Sequence, residues 1–201
     1  MVLGSTFGTF NAANAGNVAI TSTGAITSGN ITTLLNAQDG ELEIQGTSGV
    51  IATLALSIGV HADGGTYIQL GDIASGTEAS TLKVVAAAAA ITIDPIIKTL
   101  NAQVVGAILV QDSTAGAEGD LVTFNGVVGG AAALIIDTIQ VGDADEVSGN
   151  AKFTADVKAT AIAVEGGDAG ENSIADFANT VAGAITMDDV ASKGNATVIF
   201  S

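Results

Sequence analysis

The sequence predicts an all-β protein, on three observations. Short stretches alternate apolar and polar residues with a period of two, the pattern of half-buried strands. Turn signals rich in glycine interrupt them roughly every 8–14 residues, the interval at which strands recur in sandwiches, jelly rolls and related β folds. The apolar bulk is also of one kind. Hydrophobic residues make up 48% of the 201-residue chain, yet there are only six Phe, one Tyr and no Trp. Ala, Val, Ile and Leu therefore fill the interior, and small or β-branched side chains suit a closely packed pleated surface. A two-sheet sandwich or jelly roll with an extended N-terminal arm is the leading expectation. A β-solenoid is the alternative, placed second because no strict repeat is visible. The arm takes residues 1–15, and a single β-rich domain takes residues 16–201.

The elements follow in order. Met1 to Gln38 contains no charged side chain. Within it Val18, Ile20 and Ser22 alternate with Ala19, Thr21 and Thr23, Gly24 turns, and Ala25–Thr27 begins again. In "GELEIQG" (Gly40–Gly46), Leu42 and Ile44 share one face, and Glu41, Glu43 and Gln45 share the other. "GVIATLALSIGV" is apolar on both faces and "GTYIQLGDI" alternates, so both read as strands. "TLKVVAAAAAITID" (Thr81–Asp94) reads equally well as helix or strand. Five alanines favour the helix, while Val84-Val85 and Ile91-Thr92-Ile93 favour the strand. Asp94-Pro95 ends it on either reading. "LNAQVVGAILVQD", "GDLVTFNGVV", "AAALIIDTIQVGD" and "AKFTADVKATAIAVEGGD" are further strands. "ENSIADFANTVAGAI" has the look of a capped helix, with Ser173 at the N-cap, Asp176 at the third position, and Ile174, Phe177 and Val181 on one face. "NATVIFS" closes the chain as a strand.

Charge removes whole classes of function. Twenty-one acidic residues face five Lys and no Arg, for a net charge of −16. Nucleic-acid binding needs cations to displace phosphate counterions, and an anionic membrane surface repels such a chain. The longest apolar run, Leu121–Ile136, is too short and too rich in glycine to span a bilayer. Ala13-Asn14-Ala15 mimics a signal-peptidase site, but no basic or continuous apolar region precedes it. Catalytic groups are as scarce. His61, the single histidine, sits beside a turn in "GVHADGG" with no cysteine or second histidine to complete a metal or nucleophile site. The glycine runs lack the spacing of nucleotide-binding loops. No catalytic residue is assigned, and the chain is not read as an enzyme.

The acidic turns are the one site candidate. "VGDADEVSGN" brings Asp143, Asp145 and Glu146 together, and "VEGGDAGENSIAD" brings Asp168 and Glu171 together among glycines. Calcium takes six to eight oxygens, and carboxylates on a flexible turn supply them. These five residues are the candidate calcium ligands. The competing reading is a solvated turn that keeps the chain soluble.

The segments "GNVAITSTGAITSGNITT" and "SIADFANTVAGAITMDDVASKGNATVIFS" resemble the repeated Gly-, Asn-, Thr- and Val-rich stretches of bacterial surface-layer and autotransporter passenger proteins, rickettsial outer-membrane protein B among them. The resemblance implies a β-rich coat or adhesin at the cell surface and carries over no catalytic residue. Together these observations point to a self-assembling subunit of an extracellular filament, sheath or surface layer. Its partner is a further copy of itself, and it polymerises by strand addition through the uncharged arm. A calcium-stabilised adhesin domain, with cell-surface glycans as partners, is the first alternative. A phage or virion structural protein is the second, since it uses the same assembly physics.

Overall fold

The computed structural model describes residues 2–7, 18–22, 27–31, 40–46, 52–54, 67–70, 80–86, 90–93, 96–99, 106–112, 120–130, 135–143, 147–188 and 193–201, with side chains from residue 81 onward. The described residues contain strands and no helix. They run β1 (Val2–Phe7), β2 (Val18–Ser22), β3 (Thr27–Ile31), β4 (Gly40–Gly46), β5 (Ala52–Leu54) and β6 (Tyr67–Leu70), then β7 (Ser80–Ala86), β8 (Ile91–Ile93), β9 (Ile96–Thr99), β10 (Gly106–Asp112), β11 (Leu121–Phe124) and β12 (Ile136–Val141). The last five are β13 (Asn150–Phe153), β14 (Val157–Glu165), β15 (Ser173–Phe177), β16 (Val181–Asp188) and β17 (Ala196–Phe200).

All-β is correct, but the sandwich is not: the chain is a β-solenoid. A sandwich pairs sequence neighbours in antiparallel fashion through tight hairpins. Here every ladder among the described residues is parallel, and strands pair with partners one coil further along. The first face is the sheet β16-β14-β12-β10-β7-β4-β2, and the second face is β17-β15-β13-β11-β8-β5. A short third face begins with β6 and β9, and continues as the single bridges Ile97↔Val128 and Val128↔Val157. From β4 onward the described coils visit the first, second and third faces in turn, as β10, β11 and Val128 do. The pairing of β14 with β16 shifts register between Lys158 and Ala161. That shift lets β14 begin on the third face at Val157 and finish on the first. At the N-terminal end β1 pairs in parallel with β3, which lies against β5.

Two strand assignments are settled by this coil. Ser80–Ala86 and Ile91–Ile93 are strands, so the β-branched ends of the ambiguous stretch decide its state. The helix expected over "ENSIADFANTVAGAI" is absent, and the segment forms β15 and the start of β16 instead. Ile174, Phe177 and Val181 match helical spacing only because a corner at residues 178–180 separates two strands. Ser173, taken for an N-cap, does bind a backbone N–H: its Oγ accepts from Gly149 N at 2.9 Å, one coil away.

The interior is built of register lines. On the first face Leu82, Ile108, Ile139 and Ile162 succeed one another, as do Val84, Val110, Val141 and Val164, and all eight are fully buried. On the second face Phe124, Phe153 and Phe177 are buried to within 1%. Their rings stack with centroids 4.8 and 5.0 Å apart and planes within 10°. Adjacent strands lie about 4.7–4.9 Å apart, so identical rings on successive parallel strands meet face to face. The next residue repeats the geometry. Asn125 N donates to Ile93 O, Thr154 N to Phe124 O, Ala178 N to Phe153 O and Ser201 N to Phe177 O, at 2.8–3.0 Å. The ladder thus carries on into the corner that follows each phenylalanine.

Candidate functional site

Two features stand out among the described residues. One is a corner where acidic turns stack, and the other is a rung with nothing upon it.

The corner joins the first face to the second. Gly142 and Asp143 follow β12, residues 166–172 follow β14, and residues 193–195 precede β17. Main-chain bonds hold each turn and tie it to its neighbours. Gly142 N donates to Val110 O and Asp143 N to Val147 O, both at 2.8 Å, and Gly194 N donates to Gly167 O at 3.0 Å. Asn195 N donates to Asn172 Oδ1 at 2.8 Å. Amides also reach across coils to carboxylates. Gln140 Nε2 donates to Glu165 Oε2 at 3.0 Å, and Gln111 Nε2 points at Asp143 Oδ2 from 3.5 Å.

Three of the five candidate calcium ligands, Asp143, Asp168 and Glu171, lie at this corner. Asp168 and Glu171 share a turn, in which Glu171 N donates to Asp168 O at 2.9 Å. Asp143 stands one coil earlier, while Asp145 and Glu146, like His61, lie outside the described residues. The carboxylate of Asp168 meets the ammonium of Lys193 at 3.3 Å. Among the described residues, no three acidic or histidine side chains converge on a point that would hold a metal ion. What the corner does visibly is join coils, through backbone, amide and lysine contacts.

A second ion pair lies on the outer side of the second face, where Lys152 and Asp176 are register partners. Lys152 Nζ donates to Asp176 Oδ2 at 2.9 Å. That hydrogen bond holds the Asp176 carboxyl below its ordinary 3.8, against partial burial, which acts in the opposite direction. A depressed carboxyl stabilises the fold above its ordinary pKa, and the contribution disappears as pH falls through the folded value. Lys152→Met should therefore lower stability near neutrality, only slightly because the lysine is 37% exposed, and flatten the pH dependence below 3.8, so that the two proteins converge in acid. Urea midpoints for both proteins across the acid range test this. An unchanged acid limb in the variant would remove the pair from the account.

The open rung is made by β16 and β17. Its residues continue the interior lines: Ile185 is the register partner of Ile162, Met187 of Val164, and Phe200 of Phe177. Val164 and Phe177 are 0% and 1% exposed, whereas Met187 and Phe200 are 59% and 67% exposed. Phe200 still stacks on Phe177, with centroids 5.9 Å apart, but its far side is bare. The outer edges of both strands pair with no other described strand.

Sequence reasoning ranked the coil second, behind the sandwich, and so did not foresee this rung. The signal was present in "TFN", "KFT", "DFA" and "IFS", where Phe124, Phe153, Phe177 and Phe200 each close an alternating stretch at a corner. Comparison of the chain with protein-family models, with curated proteins and with solved structures finds no match.

Proposed function

We propose that the chain is a self-assembling structural subunit of an extracellular filament, sheath or surface layer, extended by adding β-rungs. One observation carries this: the β16–β17 rung exposes Phe200 and Met187, whose partners one coil inward are fully buried. An exposed strand edge with apolar side chains in line is a template for further strands, and soluble proteins ordinarily guard it with lysine, proline or a covering segment. Stacked-coil proteins likewise need a polar cap wherever stacking is meant to stop. Neither β16 nor β17 contains lysine or proline. The extracellular placement rests on the resemblance of residues 16–33 and 173–201 to surface-layer and passenger sequences. No reaction is assigned.

Electron microscopy of the purified chain at high concentration tests the reading. Ordered filaments, tubes or sheets are expected, and a field of uniform small particles would sink it. The stacking of acidic turns along one corner favours a second reading, a calcium-stabilised adhesin module. That reading expects a monomer whose melting temperature rises in millimolar calcium.

A further inference from the structure

The open rung has a counterpart at the opposite end of the solenoid. On the first face β2 is the outermost strand. Val18 pairs with Leu42 and Leu42 with Leu82; Ile20 pairs with Ile44 and Ile44 with Val84. Val18 and Ile20 thus occupy the two register lines that end in Ile185 and Met187. Because all ladders are parallel, a second copy in the same orientation would bring β2 to the edge of β16 with the lines unbroken. It would also bring β3 to the edge of β17. Residues 1–38 carry no charge, so the approaching strands bring no repulsion to an apolar edge.

One strand stands in the way. β1 pairs in parallel with β3, which lies near β5, and β1 precedes β2 in the chain. β1 and β3 form a ladder of their own beside the second face, and because a coil climbs one strand width per turn, the coil path sets β1 beyond β3 on the side away from β5. Seating β2 of one copy on β16 of another then places β1 of the first and β17 of the second at the same edge of β3. Both cannot be there.

We propose that the β16–β17 rung is the docking face for a second copy of this chain, which presents β2 and β3, and that β1 is a built-in competitor for that junction. Copies add head to tail where β1 has left β3. The contact is heterologous and does not close on itself, so it propagates as a filament. This rests on the self-assembly reading and gives it a geometry and a brake.

Sedimentation velocity and electron microscopy on the 201-residue chain test it, with three variants. Leu3→Pro/Thr6→Pro removes backbone donors from β1 and loosens it from β3, leaving residues 16–201 untouched. Phe200→Asp places a charge on the open rung, where the side chain is mostly exposed and the folded coils behind it are undisturbed. The third combines all three substitutions. Far-ultraviolet circular dichroism checks that each retains its β-structure. The double proline variant is expected to form linear oligomers at lower concentration than the wild type, and adding Phe200→Asp is expected to abolish them. Weaker assembly of the proline variant would overturn the inference by making β1 a donor strand, while the structural-subunit reading would stand. Assemblies indifferent to Phe200→Asp would also overturn it, since copies would then meet through other surfaces. If no variant assembles, both the inference and the reading beneath it fall, and the rung is covered by something other than a second copy, a further coil of a longer chain included.

Discussion

Phe153→Ala is expected to lower the stability of the chain by about 3–5 kcal/mol, the range for emptying a buried aromatic site. Phe153 is 1% exposed and lies between Phe124 and Phe177, so truncation removes two stacked contacts and opens a gap that rigid flanking strands cannot close. Stacked aromatic pairs contribute about 0.5–1.5 kcal/mol beyond the area they bury, which places the loss toward the upper part of that range. Phe200→Ala provides the internal control. Its ring has one stacking partner at 5.9 Å and is 67% exposed, so its loss should be under about 1.5 kcal/mol. Urea denaturation followed by circular dichroism measures both. Equal costs for the two variants would mean that the stack does not hold the coils together.

The contrast also bears on cooperativity. In a solenoid each coil touches only its neighbours, so stability is close to a sum of coil and interface terms. A defect at Phe153 divides the well-packed coils into two groups. The denaturation profile of Phe153→Ala should therefore broaden as well as shift, and the Phe200→Ala profile should keep its width.

Much of the secondary structure was legible because alternation and glycine punctuation are local signals. "GELEIQG" is a strand over the same seven residues that alternate. What alternation cannot convey is the partner of each strand, because a parallel coil and an antiparallel hairpin demand the same in–out pattern. A repeat would have revealed the coil, but its length varies. Thr138, Ala161 and Ala184 are register partners 23 residues apart, while Ala107 and Thr138 are 31 apart. Insertions at corners blur the period without disturbing the strands between them. The misread helix has a similar cause: a three-residue corner between β15 and β16 set Phe177 and Val181 four residues apart. Asp143, Asp168 and Glu171 were legible as acids outside the strands. That the turns would stack at one corner, and that Lys193 would meet Asp168 there, depends on coil geometry that local sequence does not encode.

Gly142→Ala is the second large effect, and it tests the corner directly. Gly142 has φ +83°, in the left-handed region, where a Cβ costs about 1–2 kcal/mol. The space is also taken: a Cβ there would collide with Glu165 O and Ser173 Oγ, both from the next coil. Neither can retreat easily, since Glu165 is the last residue of β14 and Ser173 Oγ accepts from Gly149 N. Forcing atoms into a packed site adds about 1–3 kcal/mol, so the total expected loss is about 3 kcal/mol. Gly170 separates the two contributions. It has φ +93° and nothing within 4 Å of its would-be Cβ, so Gly170→Ala should show the backbone cost alone. If the two alanine variants lose the same stability, backbone conformation accounts for everything, and the close stacking of turns at this corner is not under strain. If Gly142→Ala loses clearly more, the corner is a rigid seam that fixes how successive coils sit on one another. A rung at the open end would then be presented in the geometry that an incoming coil must match.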